Sequence, residues 1–159
     1  GGEAYDGVIR EFGTEILNER GEIDRRRLAS EVFDKPERLA LLNSLVHPPV
    51  IRRETEITAQ AVSLDPNAIV VVEAAILIET GHHTRFDKLI LTVCEEEQQV
   101  ERAMERGDSR EEVLARIRNQ MPLAEKRKFA DYVIDTSGSK EDTLRQAREV
   151  YNLLRSIQS

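Results

Sequence analysis

The chain has 159 residues, 40% of them hydrophobic and 33% charged, with 8 glycines and 5 prolines. That length supports a substantial core, and the balance excludes the disordered, collagen-like and low-complexity classes, leaving a soluble globular chain. The net charge of −7 argues against nucleic acid as a partner, since such binders need a basic face, but it leaves room for a local basic site for a phosphorylated small molecule. With 4 Phe, 3 Tyr and no Trp, stacking platforms for single strands are scarce. The lone cysteine, Cys94, can form neither an internal disulfide nor a CxxC clip, which points to a reducing, cytoplasmic setting. No apolar run reaches the roughly 18 residues of a membrane span, and "GGEAYDGVIREFG" has neither the basic nor the apolar region of a signal peptide, so no membrane partner is expected.

Residues 4–64 read as helical. Apolar positions recur at helical spacing in Leu28, Val32 and Phe33 and again in Leu41, Leu42 and Leu45, with turns at Asn18–Gly21 and Lys35-Pro36. Asp24 falls where a helix N-cap belongs, and Asp34 suits the first turn of the helix that follows. His47-Pro48-Pro49 is expected to end that helix and open another toward Pro66.

From residue 68 the pattern changes. "AIVVVEAAILIE" and "KLILTV" are apolar runs of the kind found in buried parallel strands, at 69–72 and 88–93, and "YVID" at 132–135 forms a third. Helical stretches follow at 95–106, with an acidic start, and at 109–121, where Ser109 and Glu112 have capping-box spacing. A loop and a closing amphipathic helix complete the chain. Strands alternating with helices predict an α/β fold with a parallel sheet. Three strands are few for such a sheet, and further strands are expected ahead of Gly1.

The chemistry-bearing motifs are mostly absent. No lysine stands in G-x-x-x-x-G-K-[ST], and GxGxxG, GxSxG and HExxH are missing too. What remains is a group of arginines, Arg102, Arg106, Arg110, Arg116 and Arg118, in an acidic chain. If one helix runs through the first two, they share a face and could converge on anionic oxygens; equally, they could form a solvated face paired with Glu101, Glu105, Glu111 and Glu112. Glu73, at the end of the 69–72 run, would stand at the carboxyl edge of a parallel sheet, where such folds bind ligands, and could hold a water on Mg²⁺ beside a nucleotide. Its alternative is a satisfied polar residue at a strand end. His47 could touch a ligand or occupy a turn, and His82 and His83 read as surface residues.

Four segments in order, "GEIDRRRLASEVFDKPERLALLNSLVHPPV", "VVVEAAILIETG", "QQVERAMERGDSREEVLARIRNQMP" and "ADYVIDTSGS", resemble the dephospho-coenzyme A kinase family, over about residues 5 to 155. The resemblance implies a fold like that of the nucleoside monophosphate kinases: a P-loop α/β core, an inserted helical acceptor domain and a small lid. It also implies transfer of the γ-phosphoryl group of ATP, with Mg²⁺, to the ribose 3′-hydroxyl of dephospho-CoA. Mapped here, residues 1–64 would be the acceptor-side domain, and residues 65–159 the rest of the core, with the lid around 102–122. Asp24, Arg25, His47 and Pro48 fall on the acceptor domain's recurring positions. Glu73 takes the acidic position at the end of the central strand, and Glu79 that of a "PLLFE"-like segment. Arg102, Arg106, Arg116 and Gln120 match the lid and its flanks, with Arg102 and Arg106 in catalytic roles; Asp135, Thr136, Ser137 and Gly138 match the adenine loop.

The chain departs from the pattern in places. Ala75 and Ile78 replace a proline and a phenylalanine, the turn after Arg106 is a residue short, and Thr136 stands where asparagine is common. The family's first strand, its phosphate loop and the aspartate after it, the expected general base, would precede Gly1. These 159 residues alone are therefore expected not to catalyse. Two alternatives stand beside the kinase of dephospho-CoA: a kinase of the same fold for another nucleoside monophosphate, and a non-catalytic module binding a CoA-like ligand or a partner. The oligomeric state is not readable from the sequence, and a monomer is the working expectation.

Overall fold

The computed structural model describes residues 2–33 and 35–157. They divide into two compact units, Gly1–Val70 and Val71–Ser159.

The first unit is helical. In α1 (Tyr5–Phe12) the spacing of Val8 and Phe12 puts both on one face, and they are buried together with Ile16 in the turn that follows. Helix α2 (Arg25–Val32) starts where sequence places its cap: the Asp24 carboxylate accepts from the backbone N–H of Arg26 at 2.9 Å and of Arg27 at 3.2 Å. Helix α3 (Pro36–Leu64) has proline at its first position, where the missing N–H costs nothing. The expectation for Asp34 lies outside the described residues. Leu28 and Val32 of α2 and Leu41, Leu42, Leu45 and Val46 of α3 close over Val8, Phe12 and Ile16, and the Arg38 guanidinium lies 4.5 Å from the Phe12 ring centroid.

One expectation fails here. His47-Pro48-Pro49 does not end a helix, because α3 runs unbroken from Pro36 to Leu64 with both prolines inside. Proline removes its own N–H bond to the preceding turn, but it leaves the other ladder bonds of a long helix intact. The Leu41–Val46 face, held against the core on one side of the prolines, anchors the helix through the interruption.

In the second unit β1 (Ile90–Val93) and β2 (Tyr132–Asp135) pair in parallel, with Ile90 opposite Tyr132 and Val93 opposite Asp135. Between them come α4 (Glu96–Met104), α5 (Arg110–Arg118) and the short α6 (Leu123–Lys126); α7 (Lys140–Ile157) follows β2 and packs on it. This is the expected α/β order with a parallel sheet, in a mostly helical chain. The capping box forms as read: Ser109 accepts from the N–H of Glu112, whose carboxylate accepts from the N–H of Ser109 at 3.0 Å. Val100 and Ala103 of α4 are buried against Val113 of α5.

The expected strand at 69–72 is not in the sheet. Among the described residues the ladder has two strands, and Val71 is 74% exposed. Continuous apolarity reports a demand for burial, whereas a strand also needs a neighbour to complete its hydrogen bonds, and residues 69–72 have none among the described residues.

Candidate nucleotide-side site

The strands deliver the loop 135–138 to their carboxyl ends, the edge at which open parallel sheets bind ligands. Each neighbouring element holds this loop. From β1, the Val93 carbonyl accepts from the Thr136 N–H at 2.8 Å and from its hydroxyl at 3.0 Å. From α4, Arg102 donates to the Thr136 hydroxyl at 3.1 Å and carbonyl at 2.7 Å, and Gln98 Nε2 donates to the Ser137 carbonyl at 3.0 Å. From α7, Gln146 accepts from the Asp135 N–H at 2.9 Å and donates to its carbonyl at 2.8 Å. The Asp135 carboxylate accepts from the Ser137 N–H at 2.8 Å, and this bond holds its carboxyl below the ordinary range. Thr136, standing where asparagine is common, thus commits its only hydroxyl proton to Val93 and offers none to a ligand. The Gln98 Oε1 atom is buried and has no partner among the described residues. Neither Gln98 nor Gln146 was singled out from sequence, where an isolated glutamine on a helix carries no spacing signal.

The lid expectation needs correction at its start. Arg102 and Arg106 do not share a helix face, because α4 stops at Met104. The N–H groups of Arg106 and Asp108 both turn back to the Ala103 carbonyl, at 3.0 and 3.2 Å, and Gly107 takes φ +98°, a conformation open to glycine. Arg102 points inward to Thr136, whereas the Arg106 side chain is exposed in the turn with no hydrogen bond or ion pair among the described residues. Arg110 and Arg116 are paired, though with different acids from those expected. Arg110 forms a two-pronged pair with Glu97 at 2.6 and 2.8 Å, and Arg116 reaches both Asp108 oxygens at 3.3 Å.

Glu79 and Gln120 belong to a second constellation, built around a residue that sequence reading passed over. Lys126 is only 6% exposed. Its ammonium donates to Glu79 Oε1 at 2.8 Å, the Ala75 carbonyl at 3.1 Å and Gln120 Oε1 at 3.3 Å, and Glu79 Oε1 also accepts from the Met121 N–H at 3.0 Å. Burial pushes the Glu79 carboxyl up, but the bonds from Lys126 and the backbone outweigh it and hold it below the usual range. The available signal was Leu123 and Lys126 three apart, which puts a lysine on the inner face of a short helix.

Glu73 is exposed, in the unpaired segment that ends the 69–72 run, and has no hydrogen bond or ion pair among the described residues. His82 and His83 are half-buried, not on the surface, and the His83 ring meets Phe129 edge-on at 5.2 Å. In the first unit Asp24 is spent on capping α2, Arg25 is exposed beside it, and His47 and Pro48 lie midway along α3. Among the described residues no three His, Cys, Asp or Glu side chains gather as a metal site, and no helix is long and apolar enough to cross a membrane.

Comparison with known proteins agrees with this geometry. A family profile described as dephospho-CoA kinase matches residues 1–142. The dephospho-CoA kinase of Aquifex aeolicus is 40% identical over 154 residues, covering 97% of this chain and 77% of that protein. That of Carboxydothermus hydrogenoformans is 44% identical over 149 residues, covering 92% and 71%. Among solved structures, TT1252 from Thermus thermophilus superposes with a TM-score of 0.75 at 38% identity, over 94% of this chain and 75% of that one. Dephospho-CoA kinase from Campylobacter jejuni gives 0.60 at 25% identity, over 96% and 76%. A parallel pair presenting a braced loop at its carboxyl edge, a capped arginine-bearing helix α5 and sequence identity across nearly the whole chain lead to one placement: this chain belongs to the dephospho-CoA kinase family of phosphoryl transferases.

Proposed function

We propose that the protein transfers the γ-phosphoryl group of ATP to the ribose 3′-hydroxyl of dephospho-CoA, the last step of coenzyme A synthesis, as a cytoplasmic monomer. The observation that carries this reading is the loop 135–138, braced from β1, α4 and α7 at the carboxyl edge of the parallel pair. In it, Asp135, Thr136, Ser137 and Gly138 form the adenine side, and the bracing fixes their backbone before nucleotide arrives. Arg106, exposed and unpaired beside Gly107, is the group that reaches the transferring phosphoryl; a guanidinium there neutralises charge that develops on the equatorial oxygens. Arg116 and Gln120 flank the nucleotide at the two ends of the lid's second half. Asp24, Arg25, His47 and Pro48 serve the acceptor side, and Glu79 serves it through the segment it anchors.

Mg²⁺ supplies charge neutralisation on the phosphates. Mg²⁺ binds nucleotide phosphates while keeping several waters, and Glu73, an exposed carboxylate, would hold one of those waters.

The test is a side-by-side assay of the full-length protein with ATP and Mg²⁺ on dephospho-CoA, AMP, CMP and UMP. Phosphorylation at the 3′-hydroxyl of dephospho-CoA is expected to dominate. Equal or greater turnover of a monophosphate would assign the protein to that substrate instead, and binding of dephospho-CoA without turnover of any of the four would make it a binding module.

A further inference from the structure

We propose that Lys126 and Glu79 form a latch that fixes the point where the lid rejoins the second unit, and that Glu79 acts by this positioning and not by touching the acceptor; the catalytic part of this inference rests on the reading above. An ammonium has three protons to donate, and Lys126 has three acceptors: Glu79 Oε1, the Ala75 carbonyl and Gln120 Oε1. Its bonding is therefore complete, as a buried charge requires. On the other side, Glu79 receives the Met121 N–H as well as the ammonium. The three pieces of chain so joined are the turn 75–79, the exit from α5 at 120–121 and the end of α6.

The two roots of the lid differ. At its start, α4 turns into α5 through Gly107 at φ +98°, and α5 packs back on α4 through Val113 against Val100 and Ala103 and through the Arg110–Glu97 pair. At its end, the Met121 N–H is held directly by the Glu79 carboxylate, which is itself paired with the buried Lys126. With α5 packed on α4 at one end and Met121 pinned at the other, the place of the pin sets where Arg106 and Arg116 stand. A displacement of about 1 Å in such groups costs on the order of 10²-fold in rate.

The experiment uses the full-length protein and two variants, Lys126→Met and Glu79→Gln, with hydrogen exchange read by mass spectrometry alongside steady-state kinetics. Both variants are expected to exchange at least about tenfold faster across residues 119–124, with protection in β1 and β2 unchanged. Both should lower kcat about tenfold or more while KM for dephospho-CoA stays within about twofold. Lys126→Arg, which keeps the charge, should recover part of both effects. If Lys126→Met fails to fold, Glu79→Gln decides by the same readings, since it keeps the shape and an acceptor for the Met121 N–H. Unchanged exchange at 119–124 in Glu79→Gln would overturn the latch. A tenfold rise in KM for dephospho-CoA at unchanged kcat would make Glu79 an acceptor contact and overturn the positioning role. Should the parent protein not phosphorylate dephospho-CoA at all, the proposed function fails while the exchange result still judges the latch.

Discussion

Arg102 grips Thr136 at two points, donating from Nη1 to its hydroxyl and from Nη2 to its carbonyl, so that α4 and the loop after β2 move as one piece. Arg102→Ala should therefore loosen the loop 135–138. The expected outcome is a rise of about tenfold in KM for ATP with a smaller change in kcat, measured by steady-state kinetics on the full-length enzyme. Arg102→Lys should recover little, because one ammonium cannot reproduce a fork spanning two oxygens. A loss confined to kcat would move Arg102 to the phosphoryl group.

Arg106 lies in the turn and is free to swing. Arg106→Ala should lower kcat by about 10²-fold, the scale for losing one preorganised donor to developing charge, with a smaller effect on KM for dephospho-CoA. Arg145 and Arg148 on α7, exposed on a helix far along the chain, serve as controls and should tolerate alanine. Near-normal kcat in Arg106→Ala would return Arg106 to the solvated surface.

Two prolines inside α3 cost stability that the helix does not recover locally. Pro48→Ala combined with Pro49→Ala should raise unfolding stability by up to about 3 kcal/mol, read by urea denaturation. If Pro48 shapes the acceptor side, kcat/KM for dephospho-CoA should fall about tenfold at the same time, a trade of activity for stability. A stabilised enzyme with full activity would remove Pro48 from the site.

Acid should weaken the second unit through its depressed carboxylates, Asp131 and Glu79 among them. The Leu89 N–H and then Lys88 hold the Asp131 carboxyl below its ordinary value, and Glu79 is held down by Lys126 and the backbone against its burial. A depressed carboxylate contributes stability that is fully present above its unfolded pKa, near 4, and is lost as pH falls through the lower folded value. Lys88, raised chiefly by its bond to Asp131, has the opposite sense: its contribution is present below about pH 10.4 and lost as pH rises through its folded value. Thermal midpoints should therefore fall between pH 5 and pH 2, and Asp131→Asn should flatten part of that fall. An identical pH profile in Asp131→Asn would show that the 2.9 Å contact to Lys88 contributes nothing.

Local signals were legible and nonlocal ones were not. Asp24 and Ser109 cap their helices from within four residues, so the sequence alone identifies them. The apolar runs at 88–93 and 132–135 found each other because each had a neighbour. The run at 69–72 carried the same pattern without one, and Pro48-Pro49 carried a breaking signal that a long, packed helix overrode. Of the site, the loop 135–138 and the arginines were visible, but where the arginines point was not. Arg102 turns inward because Thr136 is there, and Lys126 is buried because Glu79, distant in sequence, waits for it. Side-chain partners brought together by folding leave no periodic trace.

The parallel pairing of β1 with β2 also sets a schedule for folding. In the first unit, Val8, Phe12 and Ile16 meet within one short stretch, and α2 follows directly, so much of its packing needs only short loops to close. In the second, Leu89 must find Asp131 at a separation of 42 positions before the ladder can begin. Closing that loop costs chain entropy in advance of any ladder bond, which makes the strand pair slower to form than the local packing of the first unit. The local cluster of Val100 and Ala103 with Val113 lies inside that loop, and forming α4 and α5 around it shortens the span left to close. The loop 135–138 therefore takes its place only once that pairing has formed.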